Sequence, residues 1–452
     1  MSRKRTLIKG TFILTITGFI TRFMGFFYRI FLSHTFGEEG VGIYQLVFPI
    51  YALAFSLTSA GIETALSHCV ATYLSKGQKK EVRNLLYTSL LITITFSCVI
   101  TLFIQRNALW IAQNILQETR CENLLVILSY ALPFAALHSC IVGFYFGQKE
   151  TKVPAISQLL EQTFRIMSVF LICYISSLNG NSVTISVAVA GIIVGEIASS
   201  FYCFYKMRNG NVFAPVPHMP FYSFYKNAKK LLILSVPLTA NRVLLNILQS
   251  VESISIPIRL QMYGMANADA LSVYGVLTGM ALPCVLFPSA ITNSVSTMLL
   301  PTVAEIQAAH QKKALSNIIQ KTLFSCILLG CCCCAALLIC GKWIGELLFH
   351  SSLAGDFILT LSWMCPFLYT NNTYISIING IGKTHVSFTI NSFSLCLRIM
   401  SVFFLIPVYG ICGYLWGLLG SQIFTFLVCS FYLYHFCIKS NLIKRVCLSG
   451  LF

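Results

Sequence analysis

The sequence predicts an all-α integral membrane protein of about twelve transmembrane helices, arranged as two parallel six-helix repeats around a central cavity. Three observations predict it. The 452 residues are 56% hydrophobic and only 10% charged, against about 25% charged in ordinary soluble domains, and the mean hydropathy is +0.78. Apolar stretches of about 20 residues, the length that crosses a bilayer, recur along the whole chain. The second half also repeats the first. This composition excludes a soluble globular domain, and 35 Phe with 20 Tyr exclude a disordered chain.

Taken in order, the apolar stretches place spans at about 7–33, 41–63, 85–105, 123–147, 154–177 and 183–205 in the first half. The second half carries spans at about 231–258, 268–300, 323–349, 355–381, 385–408 and 411–438. The first stretch follows Arg3, Lys4 and Arg5 as a signal peptide would, but it is too long and contains Arg22 and Arg29, so it reads as an uncleaved span. Pro49, Pro237, Pro283 and Pro288 interrupt spans 2, 7 and 8 and favour bent helices. Span 9 carries four consecutive cysteines, Cys331 to Cys334, among 19 in the chain. Consecutive helix positions point to all sides, so these four cannot converge on one metal and read as small apolar residues.

An even number of spans puts both termini on one side, and the basic residues indicate which. The N-terminal tail, the joints after even-numbered spans and the C-terminal tail hold 22 of the 31 Lys and Arg. The opposite joints hold four: Arg106, Arg120, Arg259 and Lys342. The positive-inside rule therefore predicts cytoplasmic termini in a multi-pass membrane protein. The net charge of +17 is explained by this topology and implies no nucleic-acid partner.

Arg165-Ile-Met-Ser-Val-Phe170 recurs as Arg398-Ile-Met-Ser-Val-Phe403, 233 residues further on. The same offset carries Gln78-Lys-Lys80 onto Gln311-Lys-Lys313, Pro133-Phe134 onto Pro366-Phe367, and Gly147 onto Gly380. Earlier in the chain an offset of 230 maps Arg29 onto Arg259, Tyr44 onto Tyr274, and Ser59-Ala60 onto Ser289-Ala290. The expected organisation is a bundle over 1–205, a cytoplasmic linker over 206–230 with Pro215, Pro217 and Pro220, a second bundle over 231–438 and a tail over 439–452. Parallel repeats of this kind are transporter architecture, with substrate between the halves and one half rocking against the other.

An ionised side chain in hydrocarbon costs at least about 2.5 kcal/mol, so such residues face a wet cavity or a partner. Five arginines fall within spans: Arg22, Arg29, Arg165, Arg242 and Arg398. Arg22 corresponds to Glu252 at the offset of 230, so the two could pair across the repeat axis and separate when an anion enters. A permanent structural pair is the competing reading. Glu161 and Arg165, four apart, can pair along one helix, whereas Arg398 has Ser394 where the acid would be. Arg29 and Arg259 could simply snorkel to headgroups. Glu63 reads as interfacial and Glu196 as deeper. An excess of buried arginine suits a phosphate or carboxylate ligand. No catalytic constellation appears, and neither an enzyme activity nor a cofactor is expected.

The segment Thr21-Arg-Phe-Met-Gly-Phe-Phe-Tyr-Arg29, followed by Phe36-Gly-Glu-Glu-Gly-Val-Gly-Ile-Tyr-Gln-Leu-Val-Phe-Pro-Ile50, resembles the stage V sporulation protein B and polysaccharide-exporter family. That family lies in the multidrug/oligosaccharidyl-lipid/polysaccharide (MOP) exporter superfamily, which also includes the multidrug transporters known as MATE. The resemblance implies a flippase that moves a lipid-linked, undecaprenyl-diphosphate-type saccharide outward, here a peptidoglycan precursor for spore cortex. It implies that Arg22, in the Arg-x-x-Gly-Phe motif, is a cavity arginine, with Arg29 a second. Relatives that flip lipid II carry two further helices forming a groove for the lipid tail, whereas twelve spans are expected here. Glu63 stands where sporulation relatives tend to carry Pro. The expected partners are the lipid-linked saccharide diphosphate, membrane lipids and a coupling ion, H+ or Na+. The alternatives are a drug or organic-cation antiporter of the same fold, which would present carboxylates and aromatics instead of arginines, and a scaffold without transport.

Overall fold

The computed structural model describes residues 3–180, 183–209, 221–308 and 312–439. The linker segment with Pro215, Pro217 and Pro220, the repeat position Gln311 and the tail beyond 439 lie outside the described residues. Among those residues every regular element is helical and there is no strand. In order they are α1 (Arg3–Phe55), α2 (Gly61–Ser75), α3 (Lys79–Trp110), α4 (Cys121–Ser129), α5 (Ala131–Gly147), α6 (Lys152–Leu178), α7 (Ser186–Asn209) and α8 (Phe221–Met262). Then come α9 (Asn267–Gly275), α10 (Leu282–Leu286), α11 (Ser289–Ala308), α12 (Lys312–Phe349), α13 (Ser352–Ser362), α14 (Cys365–Gly380), α15 (Thr384–Met400), α16 (Ile406–Tyr409) and α17 (Ile411–Lys439).

Among the described residues ten helical runs are long and apolar enough to cross a membrane, and α13 with α14, bent by 57°, makes an eleventh. The first run, Phe12–Ser75, has 64 residues. As one straight helix it would reach about 95 Å, roughly three times the hydrocarbon thickness. It is divided at Gly37, whose φ of 70° and extended ψ no side chain tolerates well. The two parts supply separate spans, which brings the count to the twelve read from hydropathy. Large apolar side chains such as Ile339, Phe431 and Phe201 are 83%, 73% and 72% exposed, an arrangement that only lipid makes favourable. The chain is a multi-pass membrane protein.

Proline places the internal breaks. Pro133 removes the N–H that would bond to Ser129, and the freed Ser129 carbonyl accepts instead from Thr101 Oγ1 at 3.1 Å. The break between α4 and α5 lies just before it, and the break between α13 and α14 lies just before Pro366, the repeat equivalent. A π-helical turn at Ser56–Ala60 likewise corresponds, at the offset of 230, to the interruption at Phe287 and Pro288.

The chain parts into two compact units, Met1–Ile254 and Ser255–Phe452. The boundary falls inside α8, whose first part touches α1 and α2 at a few points. Gly61 lets Thr239 and the Ser235 carbonyl approach so closely that a Cβ would lie 1.9 Å from Thr239 Oγ1. Ser250 donates to the Pro49 carbonyl at 3.2 Å, and Asn246 bonds Ser56 Oγ.

Each unit closes its core with the same contact. In the first, Gly147 rests on the Ser67 carbonyl and Val70; in the second, Gly380 rests on the Leu300 carbonyl and Val303, every position 233 residues further on. Gly143 meets the Glu63 carbonyl, and at the matching positions Ser376 Oγ donates to the Ser296 carbonyl. Around these contacts Leu66, Leu85, Leu86, Ile141 and Phe144 are buried in the first unit, and Val303, Ile377, Ile378 and Cys429 in the second. Such close approach through small residues is the usual basis of helix association in lipid.

Between α3 and α4, Arg120 bonds Glu118 and reaches Glu39 at 2.8 Å. These partners hold its guanidinium above the ordinary arginine range. The Arg120 side chain is 49% exposed, so Arg120→Ala should cost no more than about 1 kcal/mol, read as a small shift in the thermal midpoint.

Candidate functional site

Two helical faces converge in the first unit. On the first part of α1, Arg22, Gly25, Arg29 and Leu32 recur at helical spacing. On α6, Gln158, Glu161, Gln162 and Arg165 do the same. Together with Tyr44 and Phe48 from beyond the Gly37 break, they line a cavity of about 320 Å³. Three arginines therefore share one cavity with one carboxylate, Glu161. That carboxylate is already engaged, because Arg165 Nη2 bonds Glu161 Oε1. The pairing expected from the i, i+4 spacing is thus formed, and Arg22 and Arg29 remain cavity-facing charges beyond it. The buried Arg165 Nε has no hydrogen-bond partner. Glutamines, Thr21 and Tyr28 add neutral donors and acceptors.

The position of the Glu161–Arg165 pair is set by glycines on α7. A Cβ on Gly195 would stand 2.7 Å from the Glu161 carbonyl and 3.2 Å from Arg165 Cβ, and one on Gly191 would stand 2.3 Å from Val169 Cγ2. This Gly-x-x-x-Gly pair lets α6 and α7 touch backbone to side chain. It also carries the next residue, Glu196, to the rear of the cavity.

Behind Glu161 lies a second charged layer. His138 Nδ1 is 3.5 Å from Glu196 Oε2 and 4.0 Å from Glu161 Oε2. The opposite nitrogen, Nε2, is 2.9 Å from Ser157 Oγ. One ligand atom from each of His138, Glu161 and Glu196 lies within 4.8 Å of the others. Arg165 already claims one of the two carboxylates, so these are not three free metal ligands. The group has room for one further positive charge.

The remaining expectations fall elsewhere. Arg242 is exposed on α8, where it donates to Thr64 Oγ1 at 3.3 Å, and it does not line the cavity. Glu252, also on α8, is 2% exposed; the carboxylate that shares Arg22's cavity is Glu161 and not Glu252. Arg398 is on α15 in the second unit and is not among the residues lining this cavity. Arg29, for which headgroup snorkelling was an alternative, lines the cavity, while Arg259 lies over the Phe403 ring at 4.3 Å. Glu63 accepts from Ser139 at 2.8 Å and so joins α2 to α5 instead of only facing the interface. His138 was not singled out, because nothing in a lone histidine on an apolar helix signals two carboxylates from other helices. A larger cavity in the second unit, about 770 Å³, is apolar, with Leu338, Leu359, Trp363, Phe367 and Trp416 in its wall. Of the cysteine run on α12, Cys331 and Cys332 are exposed, Cys333 is half-buried and Cys334 is buried, so they diverge as their spacing requires.

Comparison with known proteins agrees with this architecture. The family described as polysaccharide biosynthesis protein matches residues 7–307, and the family described as MatE matches 243–404. Stage V sporulation protein B of Bacillus subtilis is 30% identical over 368 residues, covering 80% of this chain and 70% of that protein. Lipid II flippase MurJ of the same organism is 25% identical over 226 residues, 47% of this chain and 41% of that one. Among solved structures, the outward-facing conformation of a multidrug resistance MATE family transporter of the MOP superfamily superposes with a TM-score of 0.67. It is 13% identical and covers 98% of this chain and all of the other.

Proposed function

Because the chain belongs to the polysaccharide biosynthesis protein family of MOP-superfamily membrane transporters, we propose that it moves a lipid-linked saccharide diphosphate, of the undecaprenyl type, across the membrane by alternating access. The observation that carries this reading is the cavity of the first unit, where Arg22, Arg29 and Arg165 face one already paired carboxylate. Guanidinium groups bind phosphate oxygens two at a time and stay charged in a partly dehydrated site. The cavity is at the small end of ligand sites. It suits a diphosphate with its first sugar, while the hydrocarbon chain would stay in lipid. Glutamines beside the arginines are suited to sugar hydroxyls. The similarity to lipid II flippase MurJ and to stage V sporulation protein B supports a peptidoglycan precursor, such as one for spore cortex, as the cargo.

A second reading, export of drugs or organic cations, is favoured by the likeness to a multidrug transporter. A cation would need acidic lining, and the charge excess here is of the opposite sign. Binding separates the two readings. Purified protein in nanodiscs should bind undecaprenyl diphosphate and not tetraphenylphosphonium, and Arg22→Ala should weaken diphosphate binding by at least tenfold, about 1.4 kcal/mol. Tight tetraphenylphosphonium binding with no diphosphate binding would establish the second reading instead. A diphosphate carries roughly two negative charges, so an inside-negative potential would favour outward movement by about 2.3 kcal/mol per charge per 100 mV, less whatever arginine charge moves with it. Collapsing the potential should slow transport in vesicles.

A further inference from the structure

The charged layer behind the cavity brings together three groups that can exchange a proton, His138, Glu161 and Glu196. Ser157 Oγ donates its single hydrogen to the Pro154 carbonyl at 2.9 Å. With that hydrogen on the Pro154 carbonyl, Ser157 Oγ accepts from His138 Nε2, the tautomer that turns the Nδ1 lone pair toward the carboxylates. In a neutral imidazole that leaves Nδ1 as a bare lone pair. Nδ1 faces Glu196 Oε2 at 3.5 Å and Glu161 Oε2 at 4.0 Å, and Glu196 Oε2 is buried without a hydrogen-bond partner. Glu196 as a whole is 8% exposed. Three electron-rich atoms facing one another in a buried site require a positive charge among them. Arg165 neutralises Glu161, so one unit of charge balances the layer, and a proton on Nδ1 supplies it.

The second unit shows that the fold does not need these charges. There the 233-residue offset puts Asn371 in place of His138, Ser394 in place of Glu161, and Arg398 in place of Arg165. The α7 segment Gly191-Ile-Ile-Val-Gly-Glu196 corresponds to Gly417-Leu-Leu-Gly-Ser-Gln422. Gly191 packs on α6 near Ser168 as Gly417 packs on Ser401, its repeat equivalent. Gln422 thus stands for Glu196. Asn371 Nδ2 donates to Gln422 Oε1 at 2.9 Å, a neutral amide pair where the first unit has His138 and Glu196. The same helix junction is built once with titratable groups and once without, and the titratable version backs the arginine cavity.

We propose that His138, Glu196 and Glu161 form a proton-binding site linked to anion binding through Arg165. A proton taken from water onto His138 Nδ1 makes an imidazolium that attracts both carboxylates. Glu161 is then shared between His138 and Arg165, which both lie beside it. Arg165 is released in part toward the cavity, and its charge becomes available to an anion there. Loss of the proton returns Glu161 to Arg165 and lowers the cavity's positive charge. The other titratable groups near the layer are Tyr28, Tyr44 and Tyr51 from α1 and Cys203 from α7. All four are neutral in their protonated forms, so the charge of the layer is set by His138 and the two carboxylates. Linkage then fixes the sign: acid tightens anion binding, and anion binding draws a proton into the protein.

This rests on the anionic-substrate reading above, and the experiment distinguishes failure of one from failure of the other. Farnesyl diphosphate is titrated into wild-type protein and His138→Gln in nanodiscs at about pH 6 and about pH 10, a window wide enough for a histidine held protonated by two carboxylates. The ligand's own ionisation affects both proteins equally. Wild type should tighten between about pH 10 and about pH 6 by about tenfold more than His138→Gln. In buffers of different ionisation enthalpy, wild type should take up more protons per ligand bound than the variant. If His138→Gln does not fold, Glu196→Gln serves as the comparison, since it removes the counter-charge that holds the proton. Equal pH ratios and equal proton uptake in wild type and variant would overturn the linkage while leaving the anion cavity intact. Absence of diphosphate binding at either pH would overturn the cavity reading and the linkage together.

Discussion

Arg165→Gln should abolish transport and also weaken the fold, and the two effects should separate in a double variant. Removing the guanidinium strands Glu161, whose side chain is 19% exposed. Breaking such a pair from one side costs about 3 kcal/mol, the low end for buried pairs because some water still reaches it. Arg165→Gln with Glu161→Gln leaves a neutral amide pair, and unfolding measurements should show most of that stability regained. Transport should stay lost, since a charge-assisted hydrogen bond to the ligand is worth about 1.5–3 kcal/mol, roughly 10- to 150-fold in affinity. Recovery of transport along with stability in the double variant would show that Arg165 serves only the fold.

The other large effect should come from Gly195→Leu. Even a methyl group there would stand 2.7 Å from the Glu161 carbonyl backbone, so the larger side chain must drive α6 from α7. Overpacking of this kind costs about 3 kcal/mol or more. It would displace Glu161, Arg165 and Glu196 at once, and transport should fall even in the fraction that remains folded. Gly18 is the control, because a Cβ there meets nothing within 4 Å. Gly18→Ala should leave the thermal midpoint and transport unchanged, and a loss equal to that of Gly195→Leu would count against close packing as the cause.

The spans and their count were legible because hydropathy is a local property. So was the repeat, since Arg165-Ile-Met-Ser-Val-Phe and its copy share sequence as well as place. The Glu161–Arg165 pair was legible for the same reason, its partners being one helical turn apart. Arg22 and Arg29 were marked by lying in apolar sequence, and they do meet in one cavity. That the carboxylate lining the cavity with Arg22 comes from α6 is a matter of tertiary packing, which periodicity cannot encode. His138 was hidden for a related reason. Its partners lie 23 and 58 residues downstream on two other helices, and the only sequence signal was the neutral pair Asn371 and Gln422 at the matching positions of the other repeat. The unit boundary within α8 goes with contacts such as Thr239 on Gly61, which the composition of the linker does not encode.

The central claim is that the arginine cavity of the first unit carries a lipid diphosphate across the membrane. Leaflet movement of a fluorescent undecaprenyl-diphosphate saccharide, in vesicles holding the purified protein, tests it most directly. Wild type and Arg120→Ala, whose change lies between α3 and α4 outside the cavity, should move the lipid at similar rates, whereas Arg22→Ala and the Arg165→Gln, Glu161→Gln double variant should not. Movement at the wild-type rate by folded Arg22→Ala and by the double variant, or no movement by wild type, would contradict the account.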